Sequence, residues 1–288
     1  MYYTRYRSLF PLLRLRSVVS LRQSFCCTTL SYDSKQRLQV SWRDDRDRNV
    51  SYFIDYLGSR FLNEDPHISR SSPLCIAMGK KNKLEGRQNS PWVYDLTGGI
   101  GRDSVRLLNC GYRVIIHERN SVLVKLIQDA LIRLHNARPE LIAKITLCPV
   151  DSTLYYDPTA DSTLTTSLVE CGSMNFCPLP TIVYLDPMYE SVAVGRKSKV
   201  KKDTQLLHTL TQPNPSASTA DNEAATETGV FNNSRLFETA RRLCRQRVVV
   251  KRSNKDPPLL GAIPHESIKG KTHRYDVYFK HRDVKQSS

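Results

Sequence analysis

The segment "VYDLTGGIGRDS", residues 93–104, decides the fold, because it joins an apolar strand to a helix through a glycine-rich turn. Asp95 ends the apolar run, and Gly98, Gly99 and Gly101 form the turn. Glycines let a backbone pass close to a ligand, and the first N–H groups of a helix have no partner within it. The segment therefore predicts a strand–turn–helix unit that binds a cofactor. The alternative is a tight turn with only a structural role.

Two cofactors commonly use such a turn. A dinucleotide site has the pattern G-x-G-x-x-G, but Ser104 stands at the third glycine position. In an S-adenosylmethionine (SAM) site an acidic residue precedes the glycines, as Asp95 does here. Glu118 ends the next apolar run, where a carboxylate can accept both hydroxyls of a ribose. Glu118 suits either cofactor and does not discriminate between them.

Six strand-like runs follow one another from residue 91 onward, with helical periodicity between them. They are "PWVYDL", "RVIIHE", "KITLCPV", "TIVYLDP", "RVVVKR" and "THRYDVYFK". Nearly continuous runs rich in valine and isoleucine indicate strands buried on both faces. The clearest helix is "SVLVKLIQDALIRLHNA", residues 121–137, whose apolar positions form one face. The pattern predicts an α/β fold with a doubly wound, Rossmann-like parallel sheet.

The stretch "VYLDPMY", residues 183–189, separates the two cofactors. Amino-group methyltransferases have [Asn/Asp]-Pro-Pro-aromatic at the end of the fourth strand. There the polar side chain and the proline-fixed carbonyl accept hydrogen bonds from the target NH₂ group, and the aromatic ring stacks on a flipped base. Asp186, Pro187 and Tyr189 fit as catalytic residues, whereas Met188 replaces the second proline. Read alone, the stretch is a strand-ending turn, but with the glycine turn it predicts a class I SAM-dependent methyltransferase of seven strands.

The N-terminal residues have a composition of their own. Residues 1–32 contain no Asp or Glu and five Arg among leucines, valines and serines. This composition is typical of a mitochondrial transit peptide and predicts the mitochondrial matrix as the location, with the cytoplasm otherwise. The alternative is a disordered basic arm that contacts RNA.

The remaining boundaries follow from shifts in composition. Apolar and polar residues alternate in "QRLQVSWRDDRDRNVSYFIDYLGSRF", which predicts a small N-terminal β extension. The polar stretch "TQPNPSASTADNEAATETG" predicts a disordered insertion. We therefore predict a leader at 1–35, the β extension and linker at 36–91, the methyltransferase domain at 92–282 with the insertion near 211–229, and a tail at 283–288.

The charge balance indicates a polyanionic partner. The chain has 43 Lys and Arg against 28 Asp and Glu, a formal net charge of +15, and such cations release counterions from nucleic acid. Two basic stretches, residues 195–202 and 240–252, are predicted at the carboxyl side of the sheet, where open sheets bind ligands. Solvated helix faces are the alternative. The predicted RNA phosphate contacts are Arg196, Lys197, Lys199, Lys201, Lys202, Lys251 and Arg252.

The cysteine and histidine patterns predict no metal. Eight cysteines include no C-x-x-C pair, and no histidine lies at a spacing that would complete a zinc site. We expect the cysteines to be reduced and mostly buried. His117 and His273 have no triad or metal spacing and are expected to be structural. The apolar runs are too short to insert in a membrane.

Taken together, the motifs resemble the RsmJ family of small-subunit ribosomal RNA (guanine-N2) methyltransferases. They are "DLTGGIGRD", "ERN", "VYLDPMY", "KSKVKK", "RVVVKR", "PPL" and "KTHRYDVY", and they cover roughly residues 36–282. The family's turn reads D-A-T-A-G-L-G-R-D, which accounts for Thr97. Departures are the leader, the insertion and Ser253, where the family has proline.

The resemblance implies direct methyl transfer from SAM to the exocyclic N2 of a guanine, in naked small-subunit RNA or a ribosomal particle. With Asp95 and the three glycines of the turn, it implies cofactor contacts by Arg102, Asp103, Glu118, Arg119, Ser152, Thr153 and Asp186, and Asp151 could take the adenine amine. One alternative is an amine methyltransferase that acts on glutamine or DNA. The other is a non-catalytic RNA-binding assembly factor, which the intact Asp95, Asp186 and Tyr189 disfavour.

Overall fold

A computed structural model describes residues 28–44, 46–58, 71–79, 90–155, 179–187, 202–211 and 232–280. Within these residues the chain forms a three-stranded sheet and a seven-stranded sheet.

The small sheet is the predicted N-terminal β extension. Its strands are β1 (Thr29–Tyr32), β2 (Leu38–Arg43) and β3 (Asn49–Tyr52), in the order β1-β2-β3 and antiparallel throughout. Val40 and Trp42 alternate with more exposed residues on β2 and point into the core. The predicted strand–turn–strand is confirmed. Since β1 begins at Thr29, the extension starts before the predicted boundary at residue 36, while residues 1–27 lie outside the described part of the chain.

The large sheet carries the predicted Rossmann-like architecture. Its strands are β4 (Trp92–Asp95), β5 (Arg113–His117), β6 (Ile145–Cys148), β7 (Ile182–Leu185), β8 (Arg247–Ser253), β9 (Glu266–Lys269) and β10 (His273–Phe279). Their order is β6-β5-β4-β7-β8-β10-β9. The first five strands in chain order are parallel, as predicted.

The last two strands depart from the prediction of a parallel sheet. β10 pairs antiparallel with both β8 and β9. Only residues 270–272 separate β9 from β10, and so short a connection allows only an antiparallel pair. β9, with the sequence ESIK, is mostly exposed and has no apolar run that could have predicted it.

Helices cover both faces of the large sheet. They are α1 (Pro73–Met78), α2 (Arg102–Asn109), α3 (Ser121–Ala137), α4 (Pro139–Ile142), α5 (Ser152–Tyr155), α6 (Lys202–Thr211) and α7, residues 232–243. α3 coincides with the predicted helix, and the Asn120 side chain caps it by accepting the N–H groups of Val122 and Leu123.

The core consists of two apolar clusters, one on each face of the large sheet. Val93 and Ile116 belong to the first cluster, while Tyr94 and Ile115 belong to the second, as the two-residue period of strands requires. Trp42 from the small sheet joins the first cluster. The small sheet therefore extends the main core. With both faces covered, the carboxyl edge of the parallel strands is the place for a ligand.

One prediction about the cysteines is wrong. Cys75 on α1 and Cys110 at the end of α2 form a disulfide, with their Cα atoms 6.7 Å apart. The two residues are 35 positions apart, and no local pattern indicates that α1 packs beside the end of α2. Cys148 and Cys244 are buried thiols outside that disulfide, as predicted. The other four cysteines lie outside the described residues.

Candidate cofactor and catalytic site

The candidate site lies at the carboxyl edge of the large sheet. Asp95 ends β4, Glu118 follows β5, Asp186 follows β7, and Lys251 lies near the end of β8. The parallel register of these strands brings the four residues to the same edge. Three of the four were predicted to share a site, whereas Lys251 was predicted as an RNA contact.

Two glycines of the turn are required by the protein's own packing. The Gly98 N–H donates to the His117 carbonyl at 2.8 Å, and a Cβ there would lie 2.6 Å from Ile116 Cγ2. Gly101 has a φ of +68°, and a Cβ there would overlap the hydroxyl of Tyr56. That hydroxyl donates to the Ile100 carbonyl at 2.9 Å. Gly98 and Gly101 therefore fix the shape of the turn.

Gly99 differs from the other two because a Cβ there would meet only ordinary van der Waals contacts, with Thr97 and Leu207. Its φ is +55°, and a Cβ there would find no atom nearer than the Thr97 carbonyl oxygen at 3.7 Å. Its N–H donates to Glu118 Oε2 at 2.7 Å. Gly99 is therefore the glycine of this turn that a cofactor could approach closely.

Asp95 shapes the turn from inside the protein. Only 2% of it is exposed, and its Oδ1 accepts the backbone N–H and the hydroxyl of Thr97 at 3.0 and 3.2 Å. Its Oδ2 accepts the Ser104 hydroxyl at 2.5 Å. Burial raises the pKa of Asp95 to about 7, although the hydrogen bonds from Ser104 and Thr97 oppose the rise. The structure gives this predicted cofactor ligand an indirect role, through the turn.

Glu118 faces the turn from the neighbouring strand. It is 8% exposed, its Oε1 accepts the Asn120 N–H at 2.7 Å, and its Oε2 accepts the Gly99 N–H. Burial raises its pKa, and the bonds from Asn120 and Gly99 act against that rise. Each carboxylate oxygen keeps a further lone pair, so Glu118 could accept ribose hydroxyls as predicted.

The loop after β6 brings further predicted cofactor residues to the same edge. Asp151 Oδ1 accepts the backbone N–H and the hydroxyl of Thr153 at 2.9 and 2.7 Å, and its Oδ2 is 3.0 Å from Arg119 Nη1. Burial opposes ionisation of Asp151, but the bonds from Thr153 and Arg119 outweigh it and lower the pKa. Ser152 is buried and donates to the Leu96 carbonyl. Asp151 and Arg119 could therefore reach a ligand, while Ser152 and Thr153 hold the loop in place.

Asp186 is tied to the glycine turn by one hydroxyl group. Its backbone N–H donates to Thr97 Oγ1 at 2.7 Å, and that hydroxyl donates to Asp95. The Asp186 side chain is 38% exposed, and Pro187 beside it is buried. The end of β7 and the cofactor turn therefore form one connected unit.

Asp186 also belongs to a charged cluster around Lys251. The Lys251 ammonium lies 2.7 Å from Asp186 Oδ2 and 2.8 Å from Asp103 Oδ2, and the Tyr184 hydroxyl donates to the same Asp103 oxygen at 2.7 Å. Burial alone would raise the pKa of Asp103, but Lys251 and Tyr184 stabilise its anion and lower the pKa to about 2. Asp103 is thus held by Lys251, Tyr184 and Arg106, and its predicted contact with the cofactor stays a prediction.

Two predicted RNA contacts are placed differently by the structure. Lys251 is paired with two carboxylates and its side chain is 21% exposed. Arg252 is buried and donates to the Pro257 carbonyl at 2.9 Å. Successive side chains on β8 point to opposite faces, so a run of basic letters on a strand cannot form one exposed patch. The structure therefore does not give these two side chains the exposed positions that phosphate contacts would need, and their contact with RNA stays a prediction.

The second basic stretch, residues 240–252, lies mostly at the opposite edge of the sheet. Arg241 and Arg242 end α7, and Arg245 precedes the first residue of β8. All three are exposed. Because they come before a parallel strand, they lie at its amino end, opposite the candidate site. The prediction that this stretch lies at the carboxyl side holds only for its last residues.

The first basic stretch is described only at its end. Lys202 begins α6, is exposed, and has its Nζ 3.5 Å from the Ser51 carbonyl oxygen. Asp203, the next residue, forms an ion pair with Arg102 of the glycine turn, so α6 packs beside that turn. Among the predicted site residues, Tyr189, Arg196, Lys197, Lys199 and Lys201 lie outside the described residues, as do 212–229 of the predicted insertion.

The described residues contain no group of three His, Cys, Asp or Glu that could hold a metal ion. His117 is buried with its Nδ1 3.2 Å from the Asp95 carbonyl oxygen, and burial lowers its pKa to about 4, in keeping with the predicted structural role. No helix in the described part of the chain is long and apolar enough to cross a membrane.

Fold and site together define a class of protein. A mixed seven-stranded sheet has a glycine turn after its first strand, a carboxylate after its second and Asp-Pro after its fourth. This is the arrangement of class I SAM-dependent methyltransferases. A solved SAM-dependent methyltransferase from Neisseria gonorrhoeae has the same fold, with a TM-score of 0.53 and 22% identity, covering 94% of this chain and 89% of that one.

Sequence comparisons narrow the class to a family. A family model described as "Putative SAM-dependent methyltransferase" matches residues 18–280. A ribosomal RNA small subunit methyltransferase J from Nitrosococcus oceani is 30% identical over 252 residues, 86% of this chain and 83% of that protein. The same enzyme from Idiomarina loihiensis is 33% identical over 197 residues, 67% of this chain and 62% of that protein. The chain belongs to the ribosomal RNA small subunit methyltransferase J family, and its cofactor is SAM.

Proposed function

We propose that this enzyme transfers a methyl group from SAM to the exocyclic N2 of a guanine in small-subunit ribosomal RNA. The observation that carries the proposal is the position of Asp186 and Pro187 at the end of β7, joined to the glycine turn through the Thr97 hydroxyl. That connection sets the amine-binding carboxylate beside the cofactor turn. The names of the relatives from Nitrosococcus and Idiomarina support ribosomal RNA as the substrate.

The residues around the turn fit SAM. The absence of a steric clash at Gly99 would let a ligand approach the backbone, and Glu118 would accept the ribose hydroxyls. Asp151 would accept the adenine amine, with Arg119 beside it. When bound, SAM supplies an electrophilic methyl group on its sulfonium. Asp95 and the glycines at 98 and 101 contribute by holding the turn in shape.

Asp186 would position the target amine for transfer. The lone pair of an exocyclic guanine nitrogen is delocalised into the ring, so the amine must be held by acceptors for both N–H bonds. The Asp186 carboxylate and the Pro187 carbonyl supply those acceptors, and Tyr189 would stack on the flipped base. Such positioning and fixed polar groups are the main sources of rate acceleration in a reaction of this type.

The basic stretch that ends in Lys202 would contact the RNA backbone. Lys202 is exposed at the start of α6, the helix that pairs with the glycine turn through Asp203. We place the phosphate contacts at Lys202, the first residue of that helix, and at four residues that precede it in the sequence, Arg196, Lys197, Lys199 and Lys201. This position would hold RNA over the catalytic edge.

We expect substitution of Lys199, Lys201 and Lys202 by Ala to weaken RNA binding without weakening SAM binding. Each lost phosphate contact lowers the salt dependence of binding by roughly one unit of log–log slope. Titrations of labelled RNA between low and moderate salt measure that slope. Alanine at Arg241, Arg242 and Arg245, at the opposite edge, is the matched control. An unchanged slope in the lysine variant would remove these residues from the interface.

We further propose that the enzyme works in mitochondria on the organelle's own small-subunit RNA. The acid-free, arginine-rich leader supports this location. The leader would end before Thr29, because β1 is part of the folded protein. A reporter fused to residues 1–28 should enter mitochondria and lose the leader. A diffuse cytosolic signal with an intact N terminus would contradict the proposal.

Mass mapping of the product tests the proposed reaction. Purified enzyme is incubated with methyl-labelled SAM and either naked small-subunit RNA or the assembled subunit, and the RNA is digested to nucleosides. We expect N2-methylguanosine as the labelled nucleoside. Label on another nucleoside, on DNA or on a glutamine-containing peptide, with none on guanine N2, would refute it.

A further inference from the structure

Lys251 is a lysine without a role in the proposed reaction, yet it lies within the candidate site. It pairs with Tyr275 across the β8–β10 ladder, and its side chain extends to the carboxyl edge of the sheet. There its Nζ contacts carboxylates from two different elements, Asp103 on α2 and Asp186 after β7. A largely buried lysine between two carboxylates requires a reason, because desolvating three charges is costly.

The contacts around Lys251 give it a fixed position. An ammonium group has three N–H donors, and two of them are donated to Asp103 and Asp186 at 2.8 and 2.7 Å. Asp103 is itself held by Arg106 at 3.1 Å and by the Tyr184 hydroxyl at 2.7 Å. The cluster therefore fixes one oxygen of Asp186 relative to the glycine turn. The other oxygen, Oδ1, accepts no hydrogen bond from the described residues.

The charges around Asp186 explain why a cation is needed. Burial raises the pKa of Asp186 above its usual value; the Lys251 ammonium counteracts this rise, and the Asp103 carboxylate adds to it. The other titratable or charged groups near this cluster are Asp95 on β4, Arg106 on α2, Tyr184 on β7, and His273 and Tyr275 on β10. Arg106 binds the far oxygen of Asp103, so among the described residues Lys251 is the cation in contact with Asp186.

We propose that Lys251 is a positioning residue for methyl transfer. It occupies Oδ2 of Asp186, keeps that carboxylate ionised beside Asp103, and leaves Oδ1 to accept an N–H bond of the target amine. The inference rests on the proposed function, in which Asp186 holds the amine. In this account Lys251 keeps the Asp186 carboxylate oriented and ionised, so that it can accept a hydrogen bond from the amine.

The test compares Lys251→Met with Lys251→Arg and with Lys255→Met, an exposed lysine just after β8. Single-turnover methylation is measured from pH 6 to pH 9 with saturating SAM. We expect Lys251→Met to lose rate at low pH and to recover as the pH rises, with its midpoint shifted upward by about 1–3 units, the usual effect of a close opposite charge. Lys251→Arg should keep a near-normal profile, and KM for RNA should change little.

A double variant separates charge from structure. In Lys251→Met/Asp103→Asn both buried charges are replaced, which is commonly tolerated where removal of one partner is not. Because residue 103 then carries no charge to repel Asp186, the midpoint of the pH–rate profile of the double variant should return toward that of the wild type. If the double variant is less active than Lys251→Met at every pH, or if Lys251→Met keeps the wild-type profile, the inference is wrong.

A second readout does not depend on turnover. The carboxyl ¹³C resonance of Asp186, assigned with Asp186→Asn, is titrated in the full chain. We expect its midpoint to rise in Lys251→Met, and an unchanged midpoint would overturn the inference. Wild-type enzyme that methylates no RNA would contradict the proposed function alone, since the titration still reports on the ion pair.

Discussion

Thr97 shows how a single side chain connects the two halves of the site. Its hydroxyl accepts the Asp186 N–H and donates to the Asp95 carboxylate. Glycine at this position, as in a generic methyltransferase turn, would remove that hydrogen bond from the Asp186 N–H, at a cost of about 0.5–1.5 kcal/mol. At the scale of residues, the site depends on partly buried hydrogen bonds that hold Asp95, Thr97 and Asp186 together.

The buried state of Asp95 predicts a pH effect on stability. Its pKa is raised to about 7 by burial, above the unfolded value, so the folded state binds this proton more tightly. The contribution to stability is present at low pH and is lost as the pH rises from about 4 to 7. In Asp95→Asn that loss is absent. Between pH 5 and pH 8 we therefore expect the free energy of unfolding of the variant, measured in urea, to rise relative to that of the wild type by about 1–4 kcal/mol. Asp47→Asn, an exposed control, should show the same pH dependence of stability as the wild type. If the stability of Asp95→Asn also changes with pH in parallel with the wild type, the raised pKa of Asp95 is contradicted.

At the scale of elements, the N-terminal extension supports the cofactor turn directly. Tyr56, which follows β3, is buried against Gly101, and its hydroxyl donates a hydrogen bond to the Ile100 carbonyl. β2 packs on α3, and β3 contacts α6. The extension is therefore part of the structure that shapes the site, and we expect damage to it to reduce cofactor affinity.

The contact between Tyr56 and Gly101 predicts non-additive substitutions. Gly101→Ala should destabilise the protein by more than the roughly 1–2 kcal/mol of a left-handed alanine, because its Cβ overlaps the Tyr56 hydroxyl. Tyr56→Phe removes that hydroxyl and one hydrogen bond, at a cost of about 1 kcal/mol. The double variant should be more stable than the sum of the two changes predicts. Urea unfolding measures this, with exposed Tyr32→Phe as the control; simple additivity would show that the overlap is relieved elsewhere.

The elements that the sequence predicted are those with a local signal. Valine-rich runs predict the parallel strands, and the apolar face of residues 121–137 predicts α3. The spacing of the motifs predicts the positions of Glu118 and Asp186. β9 was missed because its ESIK sequence is polar and mostly exposed. Lys251 was assigned to RNA because a sequence shows the charge of a residue but not its partner across a sheet. The disulfide between Cys75 and Cys110 is not predicted because the two residues are 35 positions apart and meet only in the folded structure.

At the scale of the whole molecule, β1 belongs to the folded core. Leu30 of β1 is buried in the main core, and β1 covers one edge of β2. The predicted leader boundary at residue 35 would remove this strand. Cleavage before Thr29 would leave the enzyme complete, whereas cleavage after residue 35 would expose a strand edge and part of the core.

Two truncated chains test that boundary. A chain that begins at Thr28 should unfold in urea with the midpoint of the full-length protein. A chain that begins at Gln36 should be less stable by about 1.5–3 kcal/mol, the usual contribution of one buried leucine side chain, and should aggregate more readily through the exposed edge of β2. Equal stability of the two chains would show that β1 is dispensable.

The most direct test of the account concerns Asp186. Single-turnover transfer of labelled methyl from SAM to small-subunit RNA is compared for the wild type, Asp186→Ala and the partly exposed control Asp256→Ala, with SAM affinity measured by calorimetry. We predict that Asp186→Ala still binds SAM and RNA but transfers the methyl group about 10²–10³ times more slowly, the usual loss for one fixed polar group at a reacting centre. Methylation by Asp186→Ala at the wild-type rate would show that the end of β7 is not the catalytic centre.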